Sequence, residues 1–295
     1  MDAARFLALR QRGEELAERL PALLVEAERV AATVAQGVHG RRRTGVGETF
    51  WQFRLYQPGD DARSIDWRQS ARSSHLHFIR EQEWEAAESV WLWCDFSPSM
   101  AFRAPPARES KGERAFLLAV ALAVLLVRAG ERVAVLGSGL PPRGGRYGLE
   151  SFCRDLLEAA RRRAPEPPLE RLPKFARLLF LSDFLAPPAS WENRFARFTA
   201  LGLRAGALQI VDPAEEELPF EGRVLFEGME GEGSALIGNV EAVRAAYRER
   251  FRAHREALAR SCLRRSWAFA VHRTDRPPSS GLLTLYQMLA PNAVD

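Results

Sequence analysis

Cysteine is scarce in this chain of 295 residues, and its three cysteines lie far apart (Cys94, Cys153 and Cys262). An odd number of cysteines without a Cys-x-x-Cys pair argues against a disulfide framework and against a zinc ribbon. The longest uncharged apolar run, residues 115–127, is too short to cross a hydrocarbon core of ~30 Å. Charges interrupt the amino-terminal apolar stretch, which is not the pattern of a secretory signal. These absences predict a cytoplasmic protein without a membrane span.

Lysine is nearly absent as well, because only two of the 42 basic residues are lysines (Lys111 and Lys174) and the rest are arginines. The Arg-rich segment 41–80 contains eight arginines but four acidic residues, so a basic surface is predicted there. One candidate function is therefore the binding of nucleic acid or another anionic surface through this segment. The interspersed acidic side chains and the lack of a nucleic-acid motif favour a solvated basic rim instead.

From residue 89 onward, short apolar runs alternate with amphipathic stretches. The runs have the length of strands, and the amphipathic stretches have the spacing of helices. This alternation predicts an α/β domain, Rossmann-like, with a mainly parallel sheet and helices on both faces. The predicted strands are residues 89–97, 132–136, 176–184, 205–212, 223–227 and 266–271. The predicted helices are residues 111–128, 149–163, 190–201, 240–262 and 281–289.

Three regions are predicted along the chain. Residues 1–37 form an N-terminal helical segment, which Pro21 is expected to break into two helices. Residues 38–88 form a small β-containing extension rich in Gly, Arg, Asp and aromatic residues. Residues 89–295 form the α/β domain. The two short strands of the extension are predicted at residues 50–56 and 75–81.

Polar residues follow two of the predicted strands of the α/β domain. Asp95, Ser97 and Ser99 form an Asp-x-Ser-x-Ser loop after the first strand, and Asp183 follows another strand. Open α/β sheets bind ligands at the carboxyl ends of their strands, and carboxylate and hydroxyl oxygens suit Mg²⁺. The four residues are therefore candidate metal ligands. They also suit a structural role in which Asp95 caps the next turn and the serines bond backbone amides.

Motifs of hydrolytic enzymes are missing. The sequence has no Gly-x-Ser-x-Gly elbow, and the glycine-rich stretch 137–148 lacks the Lys-Ser/Thr ending of a phosphate-binding loop. An aspartyl phosphatase uses an Asp-x-Asp pair as nucleophile and general acid. Here Ser97 stands in place of the second aspartate. A magnesium-dependent phosphatase is therefore disfavoured, and the chain is predicted to be non-catalytic.

A second charged group surrounds a predicted turn at residues 57–60. Its acidic side chains are suited to form a second acidic site, separate from the one at the strand ends. Its arginines are equally suited to pair with those acids in bidentate fashion and so to hold the extension together, which is the favoured interpretation. The same group is a candidate surface for a partner protein. Its members are Arg54, Asp60, Asp61, Arg63, Asp66 and Arg72.

Three sequence blocks carry a family signature. They are GVGETFW (residues 45–51), RLYQPGDDARSIDWRQSAR (residues 54–72) and Arg80-Glu81. These blocks resemble the signature of the bacterial "domain of unknown function 58" family, a relative of von Willebrand factor A domains, and the resemblance extends over about residues 38–290. It implies a von Willebrand A-like fold. It also implies a protein partner, a MoxR-type AAA+ ATPase, for which the chain serves as an adaptor.

The four strand-end residues are similar to the metal-ion-dependent adhesion site of von Willebrand A domains. That resemblance implies bound Mg²⁺ or Mn²⁺, with a carboxylate of the partner protein completing the coordination. The family's threonine ligand is missing, because no threonine lies between Ser99 and Thr199. Either the site is degenerate or another ligand replaces the threonine. The candidate replacements are Ser138, Ser151, Glu166 and water.

Overall fold

The computed structural model describes residues 3–31, 43–45, 49–56, 66–70, 78–84, 89–105, 109–173 and 176–289. The chain divides into two compact units, a larger one of Met1–Ala35 with Glu88–Ala290 and a smaller one of Gln36–Ala87 with Pro291–Asp295. The strands are β1 (Arg43–Gly45), β2 (Thr49–Leu55), β3 (Phe78–Trp84), β4 (Ser89–Cys94), β5 (Arg132–Val135), β6 (Arg177–Ser182), β7 (Arg204–Val211), β8 (Val224–Glu227), β9 (Ser234–Ile237) and β10 (Ala268–Arg273). The helices are α1 (Ala3–Ala31), α2 (Trp67–Ser70), α3 (Lys111–Arg128), α4 (Gly145–Arg162), α5 (Pro188–Ala200), α6 (Pro213–Glu217), α7 (Val240–Leu263) and α8 (Pro278–Met288).

A five-stranded sheet forms the centre of the larger unit. Its strand order is β10-β7-β6-β4-β5, and every neighbouring pair is parallel. Strands of nearly continuous apolar sequence suit this place, because a parallel sheet is buried on both faces. In β4, Val90 and Leu92 pack into one core, and Trp91 and Trp93 pack into the other. The prediction of an α/β domain with a mainly parallel sheet is confirmed.

Helices cover both faces of this sheet. On one face α3 shares a core with α1, α4 and α8, and on the other face α5 and α7 pack over aromatic rings. The ring of Phe180 in β6 lies 5.2 Å from that of Phe198 and 6.0 Å from that of Trp267. α3 is buried on nearly every side, which explains the uncharged run at residues 115–127. Among the helices in the described part of the chain, none is long and apolar enough to span a membrane.

α1 is one continuous helix, so the prediction that Pro21 divides it is wrong. A proline removes one backbone donor from a helix, whereas the turns on either side keep their own hydrogen bonds. The helix approaches α3 closely, because a Cβ added at Gly13 would lie 2.9 Å from Cγ1 of Val120. An ion pair between Arg5 and Glu113, with 2.7 Å between Nε and Oε1, links the same two helices.

Two short elements between β7 and α7 were missed by the sequence pattern. α6 begins after Asp212, whose side chain accepts the N–H of Ala214 and forms a capping box with Glu215. β9 pairs with β8 in an antiparallel hairpin, in which Val224 lies opposite Ile237. Elements of four or five residues are too short to show a reliable periodicity.

The smaller unit contains an antiparallel sheet of order β1-β3-β2 and the short helix α2. The strand predicted at residues 50–56 corresponds to β2. The strand predicted at residues 75–81 corresponds to β3, which lies a few residues later in the chain. The turn predicted at residues 57–60 lies outside the described residues.

Candidate functional site

Three strands of the parallel sheet end in acidic residues at one edge. β4 is followed by Asp95, β6 by Asp183 and β7 by Asp212. β6 lies between β4 and β7 in the sheet, so the carboxyl ends of the three strands meet. The structure brings together the four residues that were singled out from the sequence. They are Asp95, Ser97, Ser99 and Asp183.

Asp95 is buried beneath its own loop, with 4% of its surface exposed. Its Oδ1 accepts the backbone N–H of Ser97 at 2.8 Å, and its Oδ2 accepts the hydroxyl of Ser182 at 2.7 Å. Burial and the nearby charge of Asp183 raise the pKa of Asp95 to about 6, although both hydrogen bonds act in the opposite direction. Asp95 therefore shapes the turn as a buried acceptor.

Ser99 ties this loop to the end of β6. Its hydroxyl donates to Oδ2 of Asp183 at 2.8 Å and lies 3.2 Å from the hydroxyl of Ser97. The other carboxylate oxygen of Asp183 accepts the N–H of Leu185 at 3.2 Å. The side-chain amide of Gln209 in β7 donates to the Asp183 carbonyl at 2.9 Å. Hydrogen bonds thus join the ends of all three strands.

Phe184 turns the chain sharply after Asp183. Its φ of 55° lies in the left-handed region, which is uncommon for a large side chain. Its N–H donates to the hydroxyl of Ser182 at 2.9 Å, and its carbonyl lies 2.7 Å from Nε2 of His254. Its ring is buried against Trp191, with 4.7 Å between ring centroids. These contacts hold the strained backbone that carries Asp183.

A lysine that the sequence analysis did not assign to the site lies within it. Lys111 is the first residue of α3 and has no exposed surface. Its Nζ donates to Oδ2 of Asp183 at 2.8 Å and also to the carboxylate of Glu215. The ammonium lies 5.9 Å from the centre of the Phe102 ring. The available signal was a lysine at the start of an apolar helix, in a chain with two lysines.

The buried charges at this edge do not cancel. The ammonium of Lys111 contacts the carboxylates of Asp183 and Glu215, and the charge of Asp183 also acts on the buried carboxyl of Asp95. Burial by itself lowers the pKa of Lys111, but the charges of Asp183 and Glu215 outweigh burial and raise it. Burial also raises the pKa of Glu215. The lysine therefore stays charged, and the pKa values of Asp95 and Glu215 are raised chiefly by burial and further by the charge of Asp183.

A glutamate at the tip of the β8–β9 hairpin contacts the outer side of the loop. Oε1 of Glu230 accepts the backbone N–H of Ser99 at 2.8 Å, across a sequence separation of 131 residues. The tip is held by Glu232, whose carboxylate accepts the N–H of Glu230 at 2.9 Å. Gly231 and Gly233 have φ values of 88° and 89°, which glycine adopts without strain. A backbone donor of the loop thus already binds a carboxylate.

The donor set does not fit a divalent ion in this arrangement. Within the described ranges, no group of three or more His, Cys, Asp or Glu side chains is placed to hold a metal. Both carboxylate oxygens of Asp95 and of Asp183 already accept hydrogen bonds, one of them from the ammonium of Lys111. Mg²⁺ prefers about six oxygens at ~2.0–2.1 Å, and here it would meet a fixed positive charge. Binding of Mg²⁺ or Mn²⁺ stays a prediction.

The residues considered as replacements for the missing threonine form contacts elsewhere. The hydroxyl of Ser138 accepts a backbone N–H within its own turn. The hydroxyl of Ser151 accepts from the guanidinium of Arg143 at 3.0 Å. The carboxylate of Glu166 pairs with Arg194. Replacement of the threonine by one of these three side chains or by water stays a prediction.

The charged group predicted as a partner surface lies mostly outside the described residues. The members that lie outside the described residues are Asp60, Asp61, Arg63 and Arg72. Arg54 is described only as part of the β2 backbone. Asp66 precedes α2, where its carbonyl accepts the N–H of Ser70 at 2.9 Å. Arg41 and Arg42, which open the Arg-rich segment, also lie outside the described residues, so nucleic-acid binding stays a prediction.

Comparison with known proteins places this chain in a family. The family described as "Protein of unknown function DUF58" matches residues 52–257, which is more than half of the chain. The chain belongs to the DUF58 family. The family resemblance drawn from the three signature blocks is thereby confirmed, and the family's description assigns it no function.

Relatives of this DUF58 protein occur in mycobacteria. Uncharacterized protein Mb1516 of Mycobacterium bovis and uncharacterized protein Rv1480 of Mycobacterium tuberculosis are each 29% identical to it over 282 residues. The alignments cover 89% of this chain and 86% of each relative. The crystal structure of conserved hypothetical protein BatB from Bacteroides thetaiotaomicron matches 68% of this chain and 98% of that chain, with 14% identity and a TM-score of 0.37. At that TM-score the similarity supports no conclusion about function.

Proposed function

We propose that this DUF58 protein is a non-catalytic protein-interaction module of the von Willebrand A-like kind, which binds its partner at the carboxyl edge of the parallel sheet. The observation that carries the proposal is the contact between the N–H of Ser99 and the carboxylate of Glu230. An N–H that binds a carboxylate of its own chain is a donor that an incoming acidic side chain can take over. The tip of the hairpin thus occupies the place proposed for the partner.

The chemistry of the loop favours binding over hydrolysis. An aspartyl nucleophile needs a free oxygen that faces the substrate, and a neighbouring acid must protonate the leaving group. Both oxygens of Asp95 accept hydrogen bonds, and the side chain is buried. The residue in place of the general acid is Ser97, whose hydroxyl lies 3.2 Å from that of Ser99. A phosphatase therefore gains no support from this geometry.

The partner that we propose is a MoxR-type AAA+ ATPase, for which this protein acts as an adaptor. The support is the resemblance carried by the three signature blocks at residues 45–81. The contact made by Glu230 adds the chemistry expected of the partner, an acidic side chain on a projecting loop or hairpin. The acidic side chain of the ATPase would then compete with the adaptor's own hairpin for the N–H of Ser99, which makes the contact testable.

The test is an affinity measurement between the full chain and the MoxR-type ATPase encoded in the same genome. Substitution of Glu230 by Ala removes the internal competitor, so we expect tighter binding. An ordinary hydrogen bond of about 0.5–1.5 kcal/mol corresponds to a gain of roughly twofold to tenfold. The matched control is Glu227→Ala, which removes an exposed glutamate from the same hairpin and is expected to leave the affinity unchanged.

Two results contradict the proposal in different ways. Failure of both the wild-type protein and the Glu230→Ala variant to bind the ATPase would exclude this partner. Binding with equal affinity by the wild type and both variants would retain the partner and exclude the Ser99 loop as its contact site.

A further inference from the structure

Lys111 is a lysine without exposed surface, in a place where the protein must compensate its charge. Lysine side chains are almost never fully buried unless they are paired. As the first residue of α3, Lys111 also places its positive charge at the helix N-terminus, where the helix dipole disfavours a cation. Its position therefore depends on the carboxylates of Asp183 and Glu215.

We infer that the ammonium group of Lys111 is the resident cation of this edge of the sheet and holds the Asp95–Ser99 loop and Asp183 together without a metal ion. The inference concerns how the site is assembled, and it does not rest on the proposed partner. It differs from the expectation drawn from the adhesion-site resemblance, in which Mg²⁺ or Mn²⁺ supplies the positive charge.

The hydrogen bonds of Asp183 show how the lysine does this. One carboxylate oxygen, Oδ2, accepts both the ammonium of Lys111 and the hydroxyl of Ser99, each at 2.8 Å. The other oxygen accepts the N–H of Leu185 at 3.2 Å. The lysine thus reaches the loop through a shared acceptor, and a dication on the same carboxylate would have to displace the ammonium or lie beside it.

A second anchor makes the ammonium a fixed part of the fold rather than a movable side chain. Glu215, which also pairs with Lys111, belongs to the capping box of α6. Its other carboxylate oxygen accepts the N–H of Asp212 at 3.1 Å, at the end of β7. Lys111 is therefore held between the ends of β6 and β7, and its removal leaves the buried carboxylate of Asp183 and the partly buried carboxylate of Glu215 without this cation.

The experiment is thermal unfolding of the full chain in EDTA, and then in MgCl2 or MnCl2 at matched ionic strength. We expect the wild-type Tm to be the same in all three buffers. The Lys111→Met variant should have a lower Tm, because Asp183 and Glu215 lose their cation. The matched control is Arg146→Met, which removes an exposed cation from an i,i+4 pair and is expected to leave Tm unchanged.

A double variant and a labelling measurement cover the case in which Lys111→Met does not fold. In Lys111→Met/Asp183→Asn one charge of each sign is removed, so this protein should unfold at a higher temperature than Lys111→Met alone. In the wild type, amine acetylation read by peptide mass spectrometry should modify Lys111 in the unfolded chain but not in the native chain, with or without Mg²⁺.

Either of two results would overturn the inference. One is a rise in the wild-type Tm with Mg²⁺ or Mn²⁺ that is lost in Ser99→Ala, because it would show that a metal ion assembles the loop. The other is acetylation of Lys111 in the native protein at the rate of the unfolded chain. An ammonium group that is held in the buried site is inaccessible to the reagent, so this rate would show that Lys111 is not held there.

Discussion

Two cations in the first turn of α3 are held by buried partners rather than by solvent. Lys111 pairs with carboxylates at the strand ends, and Arg114 donates to Glu109 at 2.8 Å and to the ring of His272 at 2.7 Å. Positive charge at a helix N-terminus opposes the helix dipole, so helix propensity alone does not favour either residue there. A basic residue in such a position is a sequence signal of a tertiary contact.

The residue His272 makes stability depend on pH. Burial and the charge of Arg114 lower its pKa to about 4, while Asp275 and Glu109 act in the opposite direction. The unfolded chain, in which this pKa is about 6.5, binds more protons than the folded chain between pH 4 and pH 6.5. The contribution of His272 to stability therefore falls as pH is lowered through this window, by roughly 3 kcal/mol at ~1.36 kcal/mol per pKa unit.

Urea unfolding across this pH range, in the wild type and in a His272→Gln variant, checks the prediction. Glutamine retains an acceptor for Arg114 but does not titrate, so the variant should lose less stability toward low pH. Asp95, whose raised pKa is about 6, acts with the opposite sign, since its protonation stabilises the folded state. The test is therefore the difference in the free energy of unfolding between wild type and variant as a function of pH. If this difference does not change with pH, the role of His272 is contradicted.

At the scale of elements, α1 is part of the core of the larger unit. Leu9 has 1% of its surface exposed, whereas Leu7 on the same helix has 59% exposed. We expect Leu9→Ala to lower the free energy of unfolding by about 2–5 kcal/mol, as in other buried leucines. The matched variant Leu7→Ala should change it by no more than about 0.5 kcal/mol. Chemical denaturation of both variants measures this, and equal effects would mean that α1 does not pack on α3.

The β8–β9 hairpin is an element of a different kind. A two-stranded hairpin is marginally stable in water by itself, and each strand here has four residues. Leu225 and Leu236 lie exposed on it. Its tip is joined to the sheet edge by the hydrogen bond between Glu230 and Ser99. Neither hydrophobic core of the described residues includes a residue of this hairpin, which suits a segment proposed to compete with a partner.

At the scale of the whole molecule, the three thiols report on global unfolding. Cys94, Cys153 and Cys262 are all buried and free. Burial raises the pKa of Cys153 to about 11 and that of Cys262 to about 12, and it also raises that of Cys94. We expect no rapid reaction of the native protein with Ellman's reagent and full reaction of all three thiols in guanidinium. A thiol that reacts in the native state at the unfolded rate would contradict this burial.

Much of the larger unit was predictable because its signals are local. An uninterrupted apolar sequence predicts that an element is buried. Such sequences mark the strands β4, β6 and β7 and the helix α3. The predictions that were wrong or missing concern elements whose local sequence signal is weak or contradictory. The proline in α1 predicted a break that the helix does not have, and α6 and β9 are too short for a period to be visible.

The candidate site was predictable only in part. A parallel sheet brings strand ends to one edge, so the order of elements predicted Asp95 and Asp183 at the same edge, and the structure shows that their strands are neighbours. Nothing local relates Lys111 to Glu215 or Ser99 to Glu230, because these two contacts join residues more than a hundred positions apart. The pairing of Lys111 with two acids likewise depends on how α3 and α6 meet the sheet.

The sequence by itself determined the α/β class, the family and the residues at the strand ends, since periodicity and local motifs are properties of neighbouring residues. Only the tertiary structure decided what neutralises those residues. The choice between a metal ion and an internal ammonium depends on which distant charges are buried together, and burial strengthens their mutual attraction. The ion pair of Lys111 with Asp183 and the hydrogen bond from the N–H of Ser99 to Glu230 both join distant segments in this way.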